Sequence, residues 1–161
     1  MPSGYYDGAL PYAPGELDVY VVSTDNWVTV QPAGDPVHGS PCARSSHGFA
    51  RFRSPTPKPA LAHARAVLYH GATGPATAAC TDDVWVLSKG DDTSDDWDIR
   101  AGWAWHRLDV TGDDEHDPPE CRTGFPSASW LDAAGHTQAV MFGGILPSGE
   151  HTDELWELEI N

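Results

Sequence analysis

The chain is a succession of short apolar runs separated by polar stretches rich in glycine and proline. Its most regular pattern is an acidic pair, an aliphatic residue, an aromatic residue and further apolar residues. This pattern occupies Asp82–Leu87, returns at Asp153–Leu158 and takes a weaker form at Leu17–Val22. Each copy predicts a short β-strand that follows a polar turn. Because no window carries helical spacing of apolar residues for more than about two turns, the sequence predicts an all-β fold built from repeats.

Further strands recur around this pattern. A segment that begins with arginine opens the second unit at Arg44–Phe52 and the third unit at Arg122–Leu131, with the two arginines in equivalent places. An apolar run follows in both units, at Ala64–Gly71 and at Thr137–Gly144. The first of these runs is apolar on both faces at its centre, which is typical of a strand covered on both sides.

Two outer strands complete the prediction. Trp27–Val30 pairs with the first copy as a hairpin, and Ala104–Val110 closes the second unit. The chain is therefore expected to form one domain of about nine strands. Residues 1–43 supply a half unit, residues 44–121 a complete unit with an acidic insertion, and residues 122–161 a three-stranded last unit.

The order of these features resembles the kelch repeat. The resemblance rests on an opening strand with Arg and His, an apolar strand that ends at Gly143-Gly144, a variable loop, and an acidic residue before the Trp-containing strand Asp153–Leu158. It implies four-stranded blades of a β-propeller over nearly the whole chain. The kelch period is about 50 residues, whereas Val19 and Val84 are 65 residues apart. The Pro-rich and acidic loops are therefore expected to be insertions between strands.

Nine strands do not close a propeller, because propellers have about four to eight blades of four strands. The predicted architecture is an incomplete set of kelch-type blades that forms an open rather than a closed ring. Such a structure has unpaired strand edges and uncovered blade faces. Two expectations follow: the chain is part of a larger propeller, or it associates with itself through exposed blade edges.

Charge narrows the class of partner. The formal net charge is −15, from 24 Asp and Glu residues against nine Lys and Arg. Fifteen of the carboxylates lie in residues 91–98, 113–120 and 150–159, where solvated loops are expected. Binding to phosphate groups needs clustered Lys and Arg. The sequence therefore argues against nucleic acid and anionic membrane surfaces as partners, and it leaves a basic partner open.

The cysteines and the N-terminal segment are used to predict the cellular compartment. Cys42, Cys80 and Cys121 are odd in number and far apart, so neither a disulfide framework nor a zinc site is predicted. The N-terminus has no basic segment followed by an apolar one, and no apolar run approaches the length of a membrane span. These features predict a soluble protein of the cytoplasm.

Two catalytic families of kelch propellers resemble the chain. Galactose oxidase is similar in blade pattern only, and its copper ligands have no matching positions here. The resemblance to nitrile-specifier proteins implies Glu, Asp and His ligands for ferrous iron in the loop after the Gly doublet. The matching loop Gly71–Cys80 contains no carboxylate and no His. Glu150, His151 and Asp153 are ligand types, but neighbouring side chains of an extended chain point to opposite faces. No metal, cofactor or catalytic residue is predicted.

The predicted function is a non-catalytic kelch-type interaction module or scaffold that binds a protein partner through its loops. Its candidate binding residues are Arg44, His47, Arg122 and Phe125. Structural salt bridges are the alternative for the two arginines, and a buried structural histidine is the alternative for His47.

Two other functions remain open. One is a degenerate specifier-type iron lyase, and the other is an incomplete propeller fragment without independent function. The tryptophans at repeat positions are expected to pack in the core rather than to form a ligand cage. They are Trp85, Trp105, Trp130 and Trp156.

Overall fold

The computed structural model describes residues 13–53, 61, 63–74, 79–90, 99–112 and 116–160. The predicted Pro-rich excursion at residues 54–59 and the acidic run at residues 91–98 lie outside these ranges, as does part of the loop Gly71–Cys80. The described chain is all-β, as predicted, with nine strands. They are β1 (Leu17–Val21), β2 (Asn26–Val30), β3 (Gly48–Arg51), β4 (Ala64–Tyr69), β5 (Val84–Lys89), β6 (Trp103–Leu108), β7 (Ser127–Leu131), β8 (Thr137–Phe142) and β9 (Leu155–Glu159).

The nine strands form three antiparallel sheets. The first sheet is β1-β2, the second is β3-β4-β5-β6, and the third is β7-β8-β9. Strands that follow each other in the chain are neighbours in each sheet, so every sheet is a simple meander. This confirms the predicted grouping of two, four and three strands and the open arrangement. Among the described residues, no helix is long and apolar enough to cross a bilayer.

The first sheet is a hairpin with one buried and one exposed face. Alternation along β2 buries Val28 and Val30, while Trp27 is 66% exposed and contacts Tyr20 across the strand pair. The chain then leaves β2 and attaches to the last strand of the second sheet. There, the Trp105 backbone N–H donates to the Ala33 carbonyl at 2.8 Å. Burial of one face and this backbone link together fix the first sheet beside the second.

The second sheet lies between the other two, which explains its apolar character on both faces. All six residues of β5 are buried, and β4 is buried except at Arg65. The prediction of a strand covered on both sides is therefore confirmed. One face packs with the first sheet, and the opposite face packs with the third. The first cluster contains Ala66, Leu68, Trp85, Leu87 and Trp105, and the second contains Val67, Tyr69, Val86, Phe125, Met141 and Ile160.

Polar links join the second sheet to the third. The Thr137 backbone N–H donates to the Arg53 carbonyl at 3.0 Å, and the Thr137 hydroxyl accepts from the Arg53 N–H at 2.7 Å. The Gly71 N–H donates to the Arg122 carbonyl at 3.2 Å. Because these bonds join the segments that flank the strands of the two sheets, and two of them are between main-chain atoms, they set how the two sheets are positioned.

The cysteines differ from the sequence prediction. Cys80 and Cys121 form a disulfide that ties the loop before β5 to the segment that opens the third sheet, while Cys42 is free and exposed. A separation of 41 residues gives no signal of pairing in the sequence. The prediction of unpaired cysteines was wrong for these two residues. The predicted cytoplasmic location loses its main basis, since disulfides persist in oxidising compartments.

The predicted core position is wrong for one of the four tryptophans at repeat positions. Trp85 and Trp105 are buried and Trp156 is half-buried, but Trp130 is 47% exposed. Trp130 lies on β7, and all five residues of β7 are exposed. The predicted core position of Trp130 is therefore wrong, because no described element covers that face.

The disulfide gives a stability prediction. Replacing both cysteines, as Cys80→Ser with Cys121→Ser, releases a loop of 41 residues in the unfolded chain. Loop-closure entropy then predicts a loss of about 4 kcal/mol in the free energy of unfolding. Urea denaturation of the double variant measures this loss, with Cys42→Ser as the control that leaves the crosslink intact. A double variant as stable as the control would contradict the predicted link.

Candidate functional site

Arg44 lies at the centre of a buried hydrogen-bond group in the second sheet. Its side chain is 3% exposed and its guanidinium donates to both carboxylate oxygens of Asp83, at 2.5 and 3.0 Å. Further N–H groups donate to the Cys42 carbonyl at 3.2 Å and to the His70 carbonyl at 3.2 Å. The Trp85 indole N–H donates to the same carboxylate at 2.6 Å. The group therefore joins the opening segment, the end of β4 and the start of β5.

Arg122 repeats this arrangement in the third sheet. Its side chain is 1% exposed, and it donates to the Glu154 carboxylate at 2.8 Å. It also donates to the carbonyls of Glu120 at 3.2 Å and Gly143 at 3.3 Å. The Trp156 indole N–H completes the group with a bond of 3.0 Å to Glu154. We call each set an Arg–carboxylate–Trp group; the first is Arg44, Asp83 and Trp85, and the second is Arg122, Glu154 and Trp156.

The two groups share the same types of acceptor at equivalent places, although Arg44 donates to both oxygens of its carboxylate and Arg122 to one. In both, the arginine donates to the carbonyl of the residue two positions before it and to a carbonyl just after β4 or β8. It also donates to a carboxylate two residues before a tryptophan. Both guanidinium groups are thus occupied by acceptors of the chain itself. The geometry supports structural salt bridging, which was the stated alternative to partner binding for Arg44 and Arg122.

The carboxylates of the two groups differ in exposure. Burial opposes ionisation of Asp83, but hydrogen bonds from Arg44, Trp85 and Thr81 outweigh it, so the pKa of Asp83 is lowered. The pKa of Glu154 is also lowered, first by its hydrogen bond from Trp156 and then by that from Arg122. The side chain of Asp83 is 12% exposed and that of Glu154 is 51% exposed. Solvent therefore screens the second ion pair more strongly than the first.

The other two predicted binding residues lie in different surroundings. Phe125 is 8% exposed and stacks on Tyr69 with a centroid separation of 5.9 Å, so it packs in the core between the second and third sheets. His47 is exposed and meets Phe49 edge to face. Partial desolvation and the nearby Arg44 charge lower the pKa of His47. The alternative of a buried structural histidine was wrong, and a binding role for His47 stays a prediction.

A large cleft opens between the second and third sheets. Its volume is about 1190 Å³, and it runs between β6 with its following segment on one side and β8 with β9 on the other. Its floor is the core shared by the two sheets, including Val84 and Met141. Its rim carries six carboxylates, which belong to Asp35, Asp82, Asp109, Glu154, Glu157 and Glu159. The cleft thus combines an apolar floor with an acidic rim.

His70 lines this cleft from the buried end. The residue is 3% exposed, and its Nδ1 atom has no hydrogen-bond partner among the described residues. Its ring meets Phe125 and Tyr69 edge to face. Burial and the charge of Arg122 lower the pKa of His70 to about 4, against the opposing charges of Asp82 and Asp83. The imidazole is therefore neutral at neutral pH, with one polar atom unsatisfied.

Sequence reasoning missed His70, although one signal was available. His70-Gly71 stands where the third unit has Gly143-Gly144, and both first positions have positive φ, 52° at His70 and 62° at Gly143. A residue other than glycine is uncommon in this left-handed region and often marks a functional position. The replacement of the first Gly by His was therefore the informative departure from the repeat.

Comparisons with known proteins add no family. No family model matches the sequence, and no curated protein matches it significantly. Within the described ranges, no three His, Cys, Asp or Glu side chains converge in a way that would hold a metal ion. Glu150, His151 and Asp153 are thus not brought together as a ligand set. The residues that the structure does bring together are the two Arg–carboxylate–Trp groups and the polar lining of the cleft.

The difference in burial between the two carboxylates is testable. Asp83→Asn leaves Arg44 buried without its counter-charge, and we expect a loss of about 3 kcal/mol in unfolding free energy at pH 7. Glu154→Gln should cost clearly less, because Glu154 is half exposed. Urea unfolding of both variants measures the difference. Equal losses would contradict the assigned roles.

The stability contribution of Asp83 should depend on pH. Asp83 has a lowered pKa in the folded protein, so its contribution to stability is present above its ordinary value of 3.8 and disappears as pH falls through the folded value. We therefore expect the stability gap between wild type and Asp83→Asn to shrink when unfolding is measured at pH 3 instead of pH 7. A gap that is constant with pH would show that Asp83 acts by packing alone.

Proposed function

We propose that this protein is a kelch-like, blade-type scaffold that binds a protein segment in the cleft between its second and third sheets. The observation that carries the proposal is the cleft itself, which is large, open, floored by apolar residues and lined by His70, whose buried Nδ1 has no partner among the described residues. Binding sites are typically concave and mostly apolar with a few polar groups that fix orientation. The repeated Arg–carboxylate–Trp groups support the kelch-like interpretation, because one occurs in the second unit and one at the equivalent place in the third.

A binding role fits the polar groups of the cleft better than a catalytic role. Among the described residues, Ser88 and His106 most resemble a nucleophile with a base, since Ser88 Oγ lies 2.9 Å from His106 Nε2, although only His106 lines the cleft. However, Ser88 is buried, and its hydroxyl also lies 3.3 Å from the Ala104 carbonyl. This pair therefore ties β5 to β6. Reaction with a substrate would require the hydroxyl to be accessible.

The proposal predicts that peptides bind in the cleft. A random peptide library selected on the wild-type protein should yield binders that lose affinity for Val110→Arg, because Val110 lines the cleft. The control is Leu131→Arg, which adds the same charge on the exposed third sheet. Calorimetry of the selected peptides measures both affinities after thermal melting has shown that both variants fold.

Three outcomes decide the matter. Loss of binding to Val110→Arg with retention by Leu131→Arg supports the cleft as the site. Equal binding to both variants would place the site elsewhere. Failure to select any peptide that binds at micromolar affinity would contradict the binding function itself.

Self-association is a second candidate, favoured by the outer face of the third sheet. Phe142 is 50% exposed and Leu155 is 69% exposed, and these residues are partners across β8 and β9. Trp130 lies on the same sheet and is also exposed. Adjacent exposed apolar side chains of this kind mark interaction surfaces. A further blade or a second copy that covers this face would bury it as the faces of the second sheet are buried by their neighbours.

Sedimentation equilibrium tests this candidate. We expect the wild-type protein to show an apparent mass that rises with concentration, because association buries the exposed apolar face. The variant with Phe142→Ser and Leu155→Ser should remain a monomer over the same range. A wild-type protein that is a monomer at every concentration would exclude self-association through this face.

A further inference from the structure

We propose that the cleft takes a cationic side chain, from an Arg or Lys of a basic protein segment, with His70 Nδ1 as the buried acceptor and Asp82 as the counter-charge. This inference rests on the proposed binding function and adds the chemical class of the partner. The cleft and its buried end supply the acceptor, the charge and the aromatic surface that such a group needs.

The first observation in support of the proposal is a buried hydrogen-bond acceptor, His70 Nδ1. His70 is only 3% exposed and lines the cleft. Its Nδ1 has no hydrogen-bond partner among the described residues. Buried polar atoms are nearly always hydrogen-bonded, so an exception calls for a ligand or a cost. The imidazole is neutral at neutral pH because the pKa of His70 is about 4. A neutral imidazole can accept a hydrogen bond from a cation without repelling it.

The charge of the cleft is the second step. Six carboxylates line it, against one arginine, Arg107, and three imidazoles. The backbone N–H groups of His38 and Val37 lower the pKa of Asp35 to about 2, so this carboxylate is ionised. Arg44 is paired with Asp83, and Arg122 is paired with Glu154, which is one of the six, so five carboxylates remain against Arg107. The potential in the cleft is therefore negative, which attracts cations and repels anions.

Asp82 is the carboxylate best placed to meet the incoming charge. It is exposed, it lines both the cleft and an adjoining cavity of about 230 Å³, and its charge acts on His70. Its neighbour Asp83 is committed to Arg44, whereas no ion pair is seen for Asp82 within the described ranges. Trp156 also lines the cleft, and its bond to Glu154 fixes the indole. An aromatic face beside a carboxylate favours a guanidinium or ammonium group.

The size of the cleft favours a protein segment over a small polyamine. Pockets for small molecules have volumes of about 300–1,000 Å³, and this cleft is larger, at about 1190 Å³. A cationic side chain would enter the buried end, while the rest of the segment would lie on the apolar floor between β6 and β9. The acidic rim would then contact further basic residues of the same segment.

The test measures binding of a labelled hexa-arginine peptide to the full chain by fluorescence anisotropy. We expect binding that weakens as salt is raised, because exposed charges are screened. Asp82→Asn should weaken binding by up to about fivefold, which is the upper end of what an exposed ion pair contributes. The matched control is Asp153→Asn, which removes the same charge at the equivalent repeat position outside the cleft, and it should change the affinity by less than about twofold.

A second measurement follows His70 directly. In protein labelled with ¹⁵N-histidine, we expect the His70 Nδ1 resonance to shift when hexa-arginine is added. An unchanged His70 signal would overturn the assignment of the acceptor. Equal losses for Asp82→Asn and Asp153→Asn would overturn the assignment of the counter-charge. Spermine that binds as tightly as hexa-arginine would overturn the assignment to a protein segment in favour of free polyamines.

Failure of this inference can be told apart from failure of the proposed function. If hexa-arginine does not bind but uncharged peptides from the library shift the His70 signal, the cleft is a binding site and its cationic specificity is wrong. If no peptide of either kind binds or shifts that signal, both the inference and the proposed function are wrong.

Discussion

Two buried arginines impose the constraint on which the rest of this structure depends. A guanidinium has five N–H donors and cannot lose its charge in a protein, so burying it requires several acceptors and a carboxylate in one place. Arg44 and Arg122 each meet this requirement with two carbonyl groups and one carboxylate. Those acceptors come from the segment that opens each unit, the end of β4 or β8, and the residues just before β5 or β9. Each arginine therefore fixes the connections of its own sheet.

The arrangement of the sheets follows from these fixed connections. With the loops held, the second sheet presents apolar faces to both neighbours, and β5 is buried along its whole length. The cleft arises where β6 and β9 lie apart, beyond the region in which the second and third sheets share a core. His70 lies where these features meet, since its carbonyl accepts from Arg44 while its side chain lines the cleft. The scaffold and the proposed binding site thus share His70, and they also share Glu154 and Trp156 of the second Arg–carboxylate–Trp group.

The sequence predicted what depends on local pattern and missed what depends on contacts between distant segments. Alternation and repetition were enough for nine strands in groups of two, four and three, and for the equivalence of Arg44 and Arg122. The disulfide between Cys80 and Cys121 and the exposure of Trp130 depend on which segments become neighbours in space, which spacing does not encode. His70 was missed because a single substitution in a repeat looks like degeneration until its burial is known.

The most direct test of this account is a double-mutant cycle on the more buried ion pair, with unfolding free energies for Arg44→Met, Asp83→Leu and the double variant. If the guanidinium and the carboxylate are the constraint, each single variant leaves an uncompensated buried group, and the double variant removes both. We expect the double variant to lose less unfolding free energy than the two single variants together, with a coupling of about 1–3 kcal/mol. Losses that add to within about 0.5 kcal/mol would contradict it.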